Sequence, residues 1–356
     1  MEKVIKVGII GQGRSGRNIH GETLHRMRRK FEIVGISDQL IARRERAKHE
    51  YGCRTYATPA QLLKQTDIDL IVNASPSRLH VPLSLQALAA GFHVLCEKPL
   101  ARSVQEVDQV IKAQKKSDKV MAVFQNRRYG AEFQKIKKVL DSGVLGRPLL
   151  IKVAYNNFSR RWDWQTMRKH YGGSLLNTGP HAVDQALHLL GSDGMPKVTS
   201  HLDRANTFGD AEDHVKIFLQ GKGLPSVDIE ISSCSAFPSV TTEIYATQGG
   251  LQHDGSRVCW RYLKRRAQPT RTLTETPIEN ADGLPAYCRE ELKWNDRTWQ
   301  PPKRTKTSEK KYYDMLHRVL TQGDALEVTL PQVRQQVAVM EECHRQNPPS
   351  KMSKGE

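Results

Sequence analysis

The feature that most constrains the fold is an apolar segment that runs directly into a glycine-rich turn near the start of the chain. Residues 4–10, VIKVGII, are apolar and mostly β-branched apart from Lys6, which predicts a strand buried on both faces. The turn at 11–16, GQGRSG, has glycine at its first, third and sixth positions. A helical stretch and a second predicted strand, FEIVGIS, follow, and that strand ends next to Asp38. The order predicts a parallel βαβ unit.

Each glycine of this turn has a physical role if the turn holds a dinucleotide. The first makes the tight turn, the second lets the backbone approach a pyrophosphate, and the third lets the helix pack closely on the strand. Asp38 follows at about the 20-residue distance expected of an acid that hydrogen-bonds the adenosine ribose. A glycine-rich turn of another α/β fold is the alternative. The predicted cofactor contacts in this region are Gly11, Gly13, Arg14, Ser15, Gly16 and Asp38.

The same acid bears on which dinucleotide is bound. A carboxylate at Asp38 repels a 2′-phosphate, so the sequence favours NAD over NADP. Arg43 and Arg44 follow closely and would neutralise an extra phosphate, so NADP stays the alternative cofactor.

The order of predicted elements divides the chain into two domains. Strand and helix patterns alternate at first, with helix starts marked at Thr58 and Ser103, which predicts an α/β Rossmann domain over residues 1–124. Consecutive strands then predict an α+β domain over 125–345, built on a mostly antiparallel, open-faced sheet, with the last helices packing back on the Rossmann half. We expect residues 346–356 to be a disordered tail.

Composition excludes several classes of protein. The net charge of +17 suits nucleic-acid binding, but the basic residues are scattered and no zinc-finger or aromatic single-strand-binding motif accompanies them, so nucleic acid is not favoured as a partner. No apolar stretch approaches the ~20 residues of a membrane helix, and the N-terminus leads into a strand and does not resemble a signal peptide. The six cysteines are widely spaced without a C-x-x-C pair, which favours a reduced, cytoplasmic protein. No metal-ligand spacing is present.

A later segment is recognisable as that of a known family. Residues 73–101, NASPSRLHVPLSLQALAAGFHVLCEKPLA, resemble the Gfo/Idh/MocA oxidoreductases, named for glucose–fructose oxidoreductase and inositol dehydrogenases. That family has a small-Pro-Asn-x-x-His turn, an Ala-Gly helix end and the tripeptide Glu-Lys-Pro. Ser77 stands here in place of the usual Asn, and Gly91 closes the helix. The resemblance implies cofactor contacts at Ser75, Pro76, His80, Glu97, Lys98 and, further on, Asn126.

The resemblance also implies a reacting pair, Lys98 and His181. Lys98 follows a predicted parallel strand, at the sheet edge where open α/β folds bind ligands, and the adjacent proline can hold the peptide between them in the cis form. Residues 172–191, GGSLLNTGPHAVDQALHLLG, resemble the family's Gly-Gly-x-x-x-Asp-x-Gly-x-His-x-x-Asp helix, in which His181 matches the catalytic histidine and Asp184 the acid. A neutral imidazole can accept a hydroxyl proton. A nearby ammonium would lower the imidazole pKa and stabilise an alkoxide.

Asn177 departs from the family pattern, which often has Asp at this position. Asparagine can orient His181 or hold a substrate hydroxyl, but it supplies no negative charge. Three alternatives follow: His181 acts without a charged partner, Asp184 takes over that role, or the reaction differs. The predicted catalytic residues are therefore Lys98, His181, Asn177 and Asp184.

The substrate is inferred from aromatic and basic residues of the second domain. Trp162 and Trp164 lie near Arg160 and Arg161, and aromatic faces beside polar groups suit a sugar or cyclic polyol ring. Arginines here and at Arg128 would instead suit a carboxylate or phosphate. The predicted substrate contacts are Lys98, Asn126, Arg128, Trp162, Asn177 and His181.

These predictions lead to one main hypothesis and two alternatives. The main hypothesis is an NAD(P)-dependent dehydrogenase that transfers a hydride between the cofactor and a hydroxyl or keto group of a sugar, sugar derivative or cyclic polyol. One alternative is a glycosidase-like or epimerising enzyme that uses bound NAD for transient oxidation. The other is a non-catalytic NAD-binding or nucleic-acid-associated regulator. By family resemblance we expect a homo-oligomer, either a dimer or a tetramer.

Overall fold

The computed structural model describes residues 3–191, 193–264, 268–303 and 307–352 of the 356-residue chain. The first part is a six-stranded sheet in the order β3-β2-β1-β4-β5-β6, and every neighbouring pair is parallel. Its strands are β1 (Ile5–Ile10), β2 (Phe31–Ser37), β3 (Arg54–Tyr56), β4 (Leu70–Asn73), β5 (His93–Cys96) and β6 (Met121–Val123). The predicted Rossmann architecture is confirmed.

Helices connect these strands, and the two predicted helix starts are confirmed. A helical turn at Ser15–Gly21 continues into α1, and Thr58 and Ser103 each form a capping box at the start of a helix. The helices are α1 (Glu22–Arg26), α2 (Ile41–Tyr51), α3 (Pro59–Leu62), α4 (His80–Ala89) and α5 (Val104–Ser117). Their apolar faces and the fully buried strands form the core of this half.

The second part is an eight-stranded sheet in the order β16-β13-β12-β11-β7-β10-β9-β8. The strands are β7 (Pro148–Asn156), β8 (Lys197–Asp203), β9 (His214–Gln220), β10 (Ser226–Ser232), β11 (Thr242–Ala246), β12 (Gly249–His253), β13 (Val258–Leu263) and β16 (Trp294–Trp299), with β14 (Ile278–Glu279) and β15 (Pro285–Ala286) as a separate hairpin. The sheet is antiparallel as predicted, except that β10 pairs parallel to β7. The prediction omitted β12 and β16.

Five further helices position the large sheet against the Rossmann half: α6 (Ala131–Asp141), α7 (Ser174–Asn177), α8 (Gly179–Leu190), α9 (Ser308–Gln322) and α10 (Leu330–Gln346). Helix α8 packs on β7 and β10, and α10 packs on β8, α8 and α5. On α9, the Tyr312 hydroxyl donates to the Val123 carbonyl at 2.8 Å, and the Tyr313 ring packs on Phe31.

The end of the chain differs from the prediction of a disordered tail at 346–356. Gln346 is the last residue of α10, and its Oε1 accepts from the Ser200 amide at 2.8 Å. Asn347 is buried and its Oδ1 accepts from the Leu202 amide at 3.2 Å. These two amide side chains bond to the edge strand β8, which fixes the segment. Residues 353–356 lie outside the described residues.

Candidate active site

A cleft of about 510 Å³ opens at the carboxyl ends of the parallel strands. One wall is the glycine turn together with Asp38, and the floor is formed by the loops that follow β4 and β5. The opposite wall comes from the second domain, through residues 163–165, 171–172 and 177. The cleft therefore lies between the two sheets, where a ligand contacts both domains.

The glycine turn has the shape that a diphosphate requires. Gly11 has φ +93°, and a Cβ there would lie 2.6 Å from the Ala74 carbonyl oxygen. A Cβ on Gly16 would collide with the Gly11 carbonyl. A Cβ on Gly13 would meet nothing closer than the Arg43 guanidinium at 4.0 Å, so the space beside Gly13 is open. The first and third glycines are thus required by packing, and the second leaves room for phosphate oxygens.

Asp38 is fixed at the end of β2 by backbone amides. Its Oδ2 accepts from the Gln12 amide at 2.8 Å and its Oδ1 from the Leu40 amide at 2.9 Å. The Arg43 Nη1 lies 3.4 Å from Oδ2, whereas Arg44 donates to the Asp38 backbone carbonyl at 2.8 Å. The carboxylate lines the cleft, and Arg43 adds positive charge beside it.

His80 joins the two loops that form the floor of the cleft. Its Nδ1 lies 2.6 Å from the Pro99 carbonyl and its Nε2 lies 2.9 Å from the Ser75 carbonyl. Burial lowers its pKa. Ser75 is held from its other side, where its hydroxyl donates to the Asn73 Oδ1 at 2.7 Å. His80 and Asn73 thus fix the loop that carries Ser75 and Pro76. The sequence analysis did not identify Asn73 as a residue of the site.

Glu97 is a buried carboxylate at the end of β5. Its Oε1 lies 3.1 Å from His20 Nε2, and its Oε2 accepts from the Lys98 backbone amide at 3.1 Å. Burial opposes ionisation, but the hydrogen bond from His20 and the positive charge of Lys98 outweigh it and lower the pKa of Glu97 to about 2. Glu97 is therefore an anion throughout the physiological pH range.

Lys98 places an ammonium on the floor of the cleft. The Lys98–Pro99 peptide is cis, as predicted, and Nζ donates to the Asn177 carbonyl at 2.9 Å across the domain boundary. Burial lowers the Lys98 pKa, the negative charge of Glu97 opposes that shift, and the positive charges of Arg14, Arg127 and Arg161 add to it. An opposite charge and three like charges thus act together on one amine.

His181 lies at the start of α8, one turn after Asn177. Its Nδ1 is buried and has no hydrogen-bond partner among the described residues. Burial, reinforced by the charges of Lys98 and Arg127, lowers its pKa to about 3. The imidazole is therefore neutral at pH 7.

Asp184 and Arg128 do not take part in the cleft. They form a buried bidentate pair, with Nε to Oδ2 and Nη2 to Oδ1 both at 2.7 Å. Arg128 Nη1 also donates to Gln332 Oε1 at 2.8 Å, at the start of α10. The structure therefore corrects two predictions. Asp184 is not a second catalytic acid and Arg128 is not a substrate contact, because the two charges pair with each other and link α8 to α10.

Two other predicted contacts also point elsewhere. Asn126 Nδ2 donates to Glu309 Oε1 at 2.9 Å, so this side chain faces the start of α9 and not the cleft. Trp162 is 77% exposed and packs edge-on to Phe208, whereas Trp164 lines the cleft. Trp162 was predicted to contact the substrate, but it is Trp164 that faces the cleft. The sequence of an irregular loop does not indicate which of two neighbouring tryptophans faces inward.

The comparisons with known proteins agree with this architecture. Residues 5–125 match the family model described as "Oxidoreductase family, NAD-binding Rossmann fold", GFO_IDH_MocA, and residues 133–252 match the GFO/IDH/MocA C-terminal domain. The chain belongs to the Gfo/Idh/MocA family. The resemblance recognised in the sequence is confirmed, and with it the nicotinamide dinucleotide as the cofactor class of the Rossmann domain.

Curated relatives of this Gfo/Idh/MocA protein include dehydrogenases of polyols and sugars. Inositol 2-dehydrogenase 4 of Saccharopolyspora erythraea is 34% identical, over 53% of this chain and 55% of the relative. The scyllo-inositol 2-dehydrogenase (NADP(+)) IolW of Bacillus subtilis is 30% identical, over 55% and 54%. D-glucoside 3-dehydrogenase of Escherichia coli is 28% identical, over 55% and 57%. The chain thus spans little more than half the length of these three relatives.

Solved structures share the fold over nearly the whole chain. An NAD-binding protein from Listeria innocua superposes with a TM-score of 0.81 at 24% identity, covering 97% of each chain. GenD2 from gentamicin A biosynthesis, solved in complex with NAD, has a TM-score of 0.77 at 21% identity, covering 97% of this chain and 94% of its own. In the part of this chain that the structure describes, no helix is both long enough and apolar enough to cross a membrane.

Proposed function

We propose that this protein is an NAD(P)-dependent dehydrogenase that interconverts a hydroxyl and a keto group on a sugar, sugar derivative or cyclic polyol. The observation that carries the proposal is the pairing of a half-buried lysine, Lys98, with a neutral imidazole, His181, whose pKa the Lys98 charge helps to lower, beside a turn shaped for a dinucleotide. The names of the curated relatives support the choice of substrate class.

In this proposal the two side chains divide the work at the substrate oxygen. Lys98 donates a hydrogen bond to the oxygen and stabilises the negative charge that develops on it. His181, neutral before reaction, accepts the hydroxyl proton. The bound cofactor supplies the hydride-accepting nicotinamide. Because Asn177 carries no charge, His181 acts without a carboxylate partner, and the first of the three sequence-based alternatives is the one we adopt.

The substrate side of the cleft is polar. An adjoining recess of about 20 Å³, large enough for one hydroxyl group of a ring held in the main cleft, is lined by hydroxyl, amide, guanidinium and carboxylate groups, among them Arg161, Gln165, Asn177 and Glu212. Groups that both donate and accept hydrogen bonds suit a ring with several hydroxyls. Trp164 at the rim offers an apolar surface for the CH face of such a ring. We assign the substrate contacts to Lys98, Asn177, His181 and this recess.

Cofactor preference follows from Asp38. Its carboxylate is held by two amides and would repel a 2′-phosphate, so we propose NAD as the preferred cofactor, with NADP accepted more weakly beside Arg43. We further propose a cytoplasmic location, supported by six unpaired cysteines. We also propose, from the family resemblance alone, a homo-oligomer formed through the large sheet.

The test is a panel of inositols, sugars and sugar acids, each with NAD or NADP, followed by absorbance of the reduced cofactor. We expect turnover with at least one polyol, a loss of about 10²–10⁴-fold in Lys98→Ala and no loss in Lys116→Ala, an exposed lysine on α5. No reduced cofactor with any substrate would contradict the proposal. Epimerised or hydrolysed product without net reduced cofactor would favour transient oxidation instead.

A further inference from the structure

A chain of buried hydrogen bonds runs from helix α9 to the candidate catalytic loop. The Tyr313 hydroxyl lies 2.7 Å from His20 Nδ1, and His20 Nε2 lies 3.1 Å from Glu97 Oε1. All three side chains are buried. Glu97 directly precedes Lys98 and accepts from its backbone amide. None of these three groups is used in the proton transfer proposed above.

The hydrogen-bonding capacities fix which atom donates at each link. Burial raises the pKa of Tyr313 well above its ordinary value, so its hydroxyl keeps a proton to donate to His20 Nδ1. Glu97 is ionised and can only accept, so His20 Nε2 carries the proton of that bond. The His20 tautomer that is protonated at Nε2 therefore satisfies both contacts. The tyrosine sets the tautomer, and the histidine supplies the donor that Glu97 needs.

The charges around Lys98 explain why this carboxylate matters. Arg14 from the glycine turn, Arg127 from the turn after β6 and Arg161 from the second domain all disfavour a further positive charge. Facing Glu97 itself are His20, Lys98 and His80. Glu97 is the negative group that acts on the Lys98 amine from this side. If Glu97 were protonated or turned away, burial and three like charges would act on the amine without opposition.

We infer that Tyr313 and His20 are positioning residues, which hold Glu97 ionised and aimed so that Lys98 keeps its ammonium form at the reacting centre. The inference rests on the proposed function in one respect: there the Lys98 ammonium hydrogen-bonds the substrate oxygen. It gives α9, near the C-terminus, a defined role in an active site formed mainly by the Rossmann half.

The experiment measures the charge state of Lys98 directly. Protein labelled with ¹³C at the lysine ε-carbon is titrated by NMR without substrate or cofactor, and the Lys98 signal is assigned by its absence in Lys98→Met. We expect Glu97→Gln to lower the Lys98 pKa by about one unit, a tenfold change in the ratio of ammonium to free amine, and His20→Leu to lower the Lys98 pKa in the same direction. Tyr313→Phe should have a smaller effect, and His20→Gln, which retains a donor near Nε2, should restore part of the shift.

The matched control is Tyr312→Phe. Tyr312 is buried on the same helix, and its hydroxyl donates to the Val123 carbonyl and not to His20. The phenylalanine variant therefore loses one buried hydrogen bond outside the chain that leads to Glu97. We expect a comparable loss of thermal stability with no change in the Lys98 titration. An unchanged Lys98 pKa in folded His20→Leu would overturn the inference, as would an equal shift in Tyr312→Phe.

The two proposals can fail separately. A Lys98 titration that shifts as expected, in a protein that turns over no polyol, would retain the hydrogen-bond chain and remove the dehydrogenase assignment. Turnover of a polyol, with a Lys98 pKa that is the same in His20→Leu as in the wild type, would retain the dehydrogenase assignment and remove the role of the hydrogen-bond chain. Where turnover is found, the alkaline limb of the kcat–pH profile should move to lower pH in His20→Leu, because the ammonium is lost earlier as pH rises.

Discussion

Replacing Asp184 with asparagine tests whether this acid is structural or catalytic. Its carboxylate is 3% exposed and its partner, the Arg128 guanidinium, is 7% exposed. Two parallel hydrogen bonds of 2.7 Å join them. In Asp184→Asn one carboxylate oxygen becomes an NH₂ group that faces a guanidinium N–H, so one bond is lost and the charge of Arg128 stays buried without an anion.

The expected magnitude is large. Removing one partner of a buried ion pair costs about 3–5 kcal/mol. With a urea slope of about 3 kcal/mol/M, the unfolding midpoint should fall by about 1–1.7 M. The control is Asp108→Asn, which breaks the pair with Arg334 between α5 and α10. That pair is equally bidentate but its side chains are 48% and 46% exposed, so its loss should cost only about 0–1 kcal/mol.

Equilibrium unfolding in urea, followed by circular dichroism, measures both costs, and steady-state kinetics at a temperature where each variant is folded measures kcat. We expect Asp184→Asn to lose stability while the folded enzyme keeps kcat within about threefold. A stability loss below about 1 kcal/mol, together with a kcat loss of a hundredfold or more, would refute the structural assignment and return Asp184 to the reacting centre.

Three further predictions concern the cleft. Asn177→Asp should add a negative charge one turn from His181 and raise its pKa from about 3, so that kcat/KM for oxidation acquires an acid limb that the wild type lacks above pH 5; an unchanged pH profile would place Asn177 away from the reaction. Asp38→Ala should shift the NADP-to-NAD ratio of kcat/KM by about tenfold or more toward NADP, since a charge-assisted bond to the ribose is worth ~1.5–3 kcal/mol; an unshifted ratio would exclude Asp38 as the determinant. Trp164→Ala should raise the KM for substrate several-fold, whereas exposed Trp162→Ala should leave it within about twofold; equal effects would contradict the orientation of this loop.

Much of the architecture was predictable because it rests on local patterns. Fully apolar strands, the glycine turn and the capping residues Thr58 and Ser103 predicted the parallel sheet and its helices. The two strands of the large sheet that were missed carry weak signals: β12 begins with two glycines, and the edge strand β16 has a polar centre. The parallel pairing of β10 with β7 is non-local and leaves no mark on either strand.

The candidate site was predictable only in part. Lys98 and His181 stand in motifs, and the structure brings both to the cleft region. Arg127 and Arg128 are adjacent and alike in sequence, but only the second finds a buried acid, and its further partner Gln332 is about two hundred residues away. His20 lies just beyond the glycine motif and its role depends on Tyr313, at the opposite end of the chain. Such pairings are set by tertiary structure and are not encoded in local spacing.

The most direct test of the central claim is to follow the hydrogen from the oxidised carbon. A substrate found in the polyol panel is deuterated at that carbon, incubated with the enzyme and oxidised cofactor in ordinary water, and the reduced cofactor is analysed by mass spectrometry. Direct hydride transfer places one deuterium on each reduced nicotinamide, and none when unlabelled substrate reacts in D₂O. Loss of the label to water, or its appearance from D₂O, would contradict direct hydride transfer.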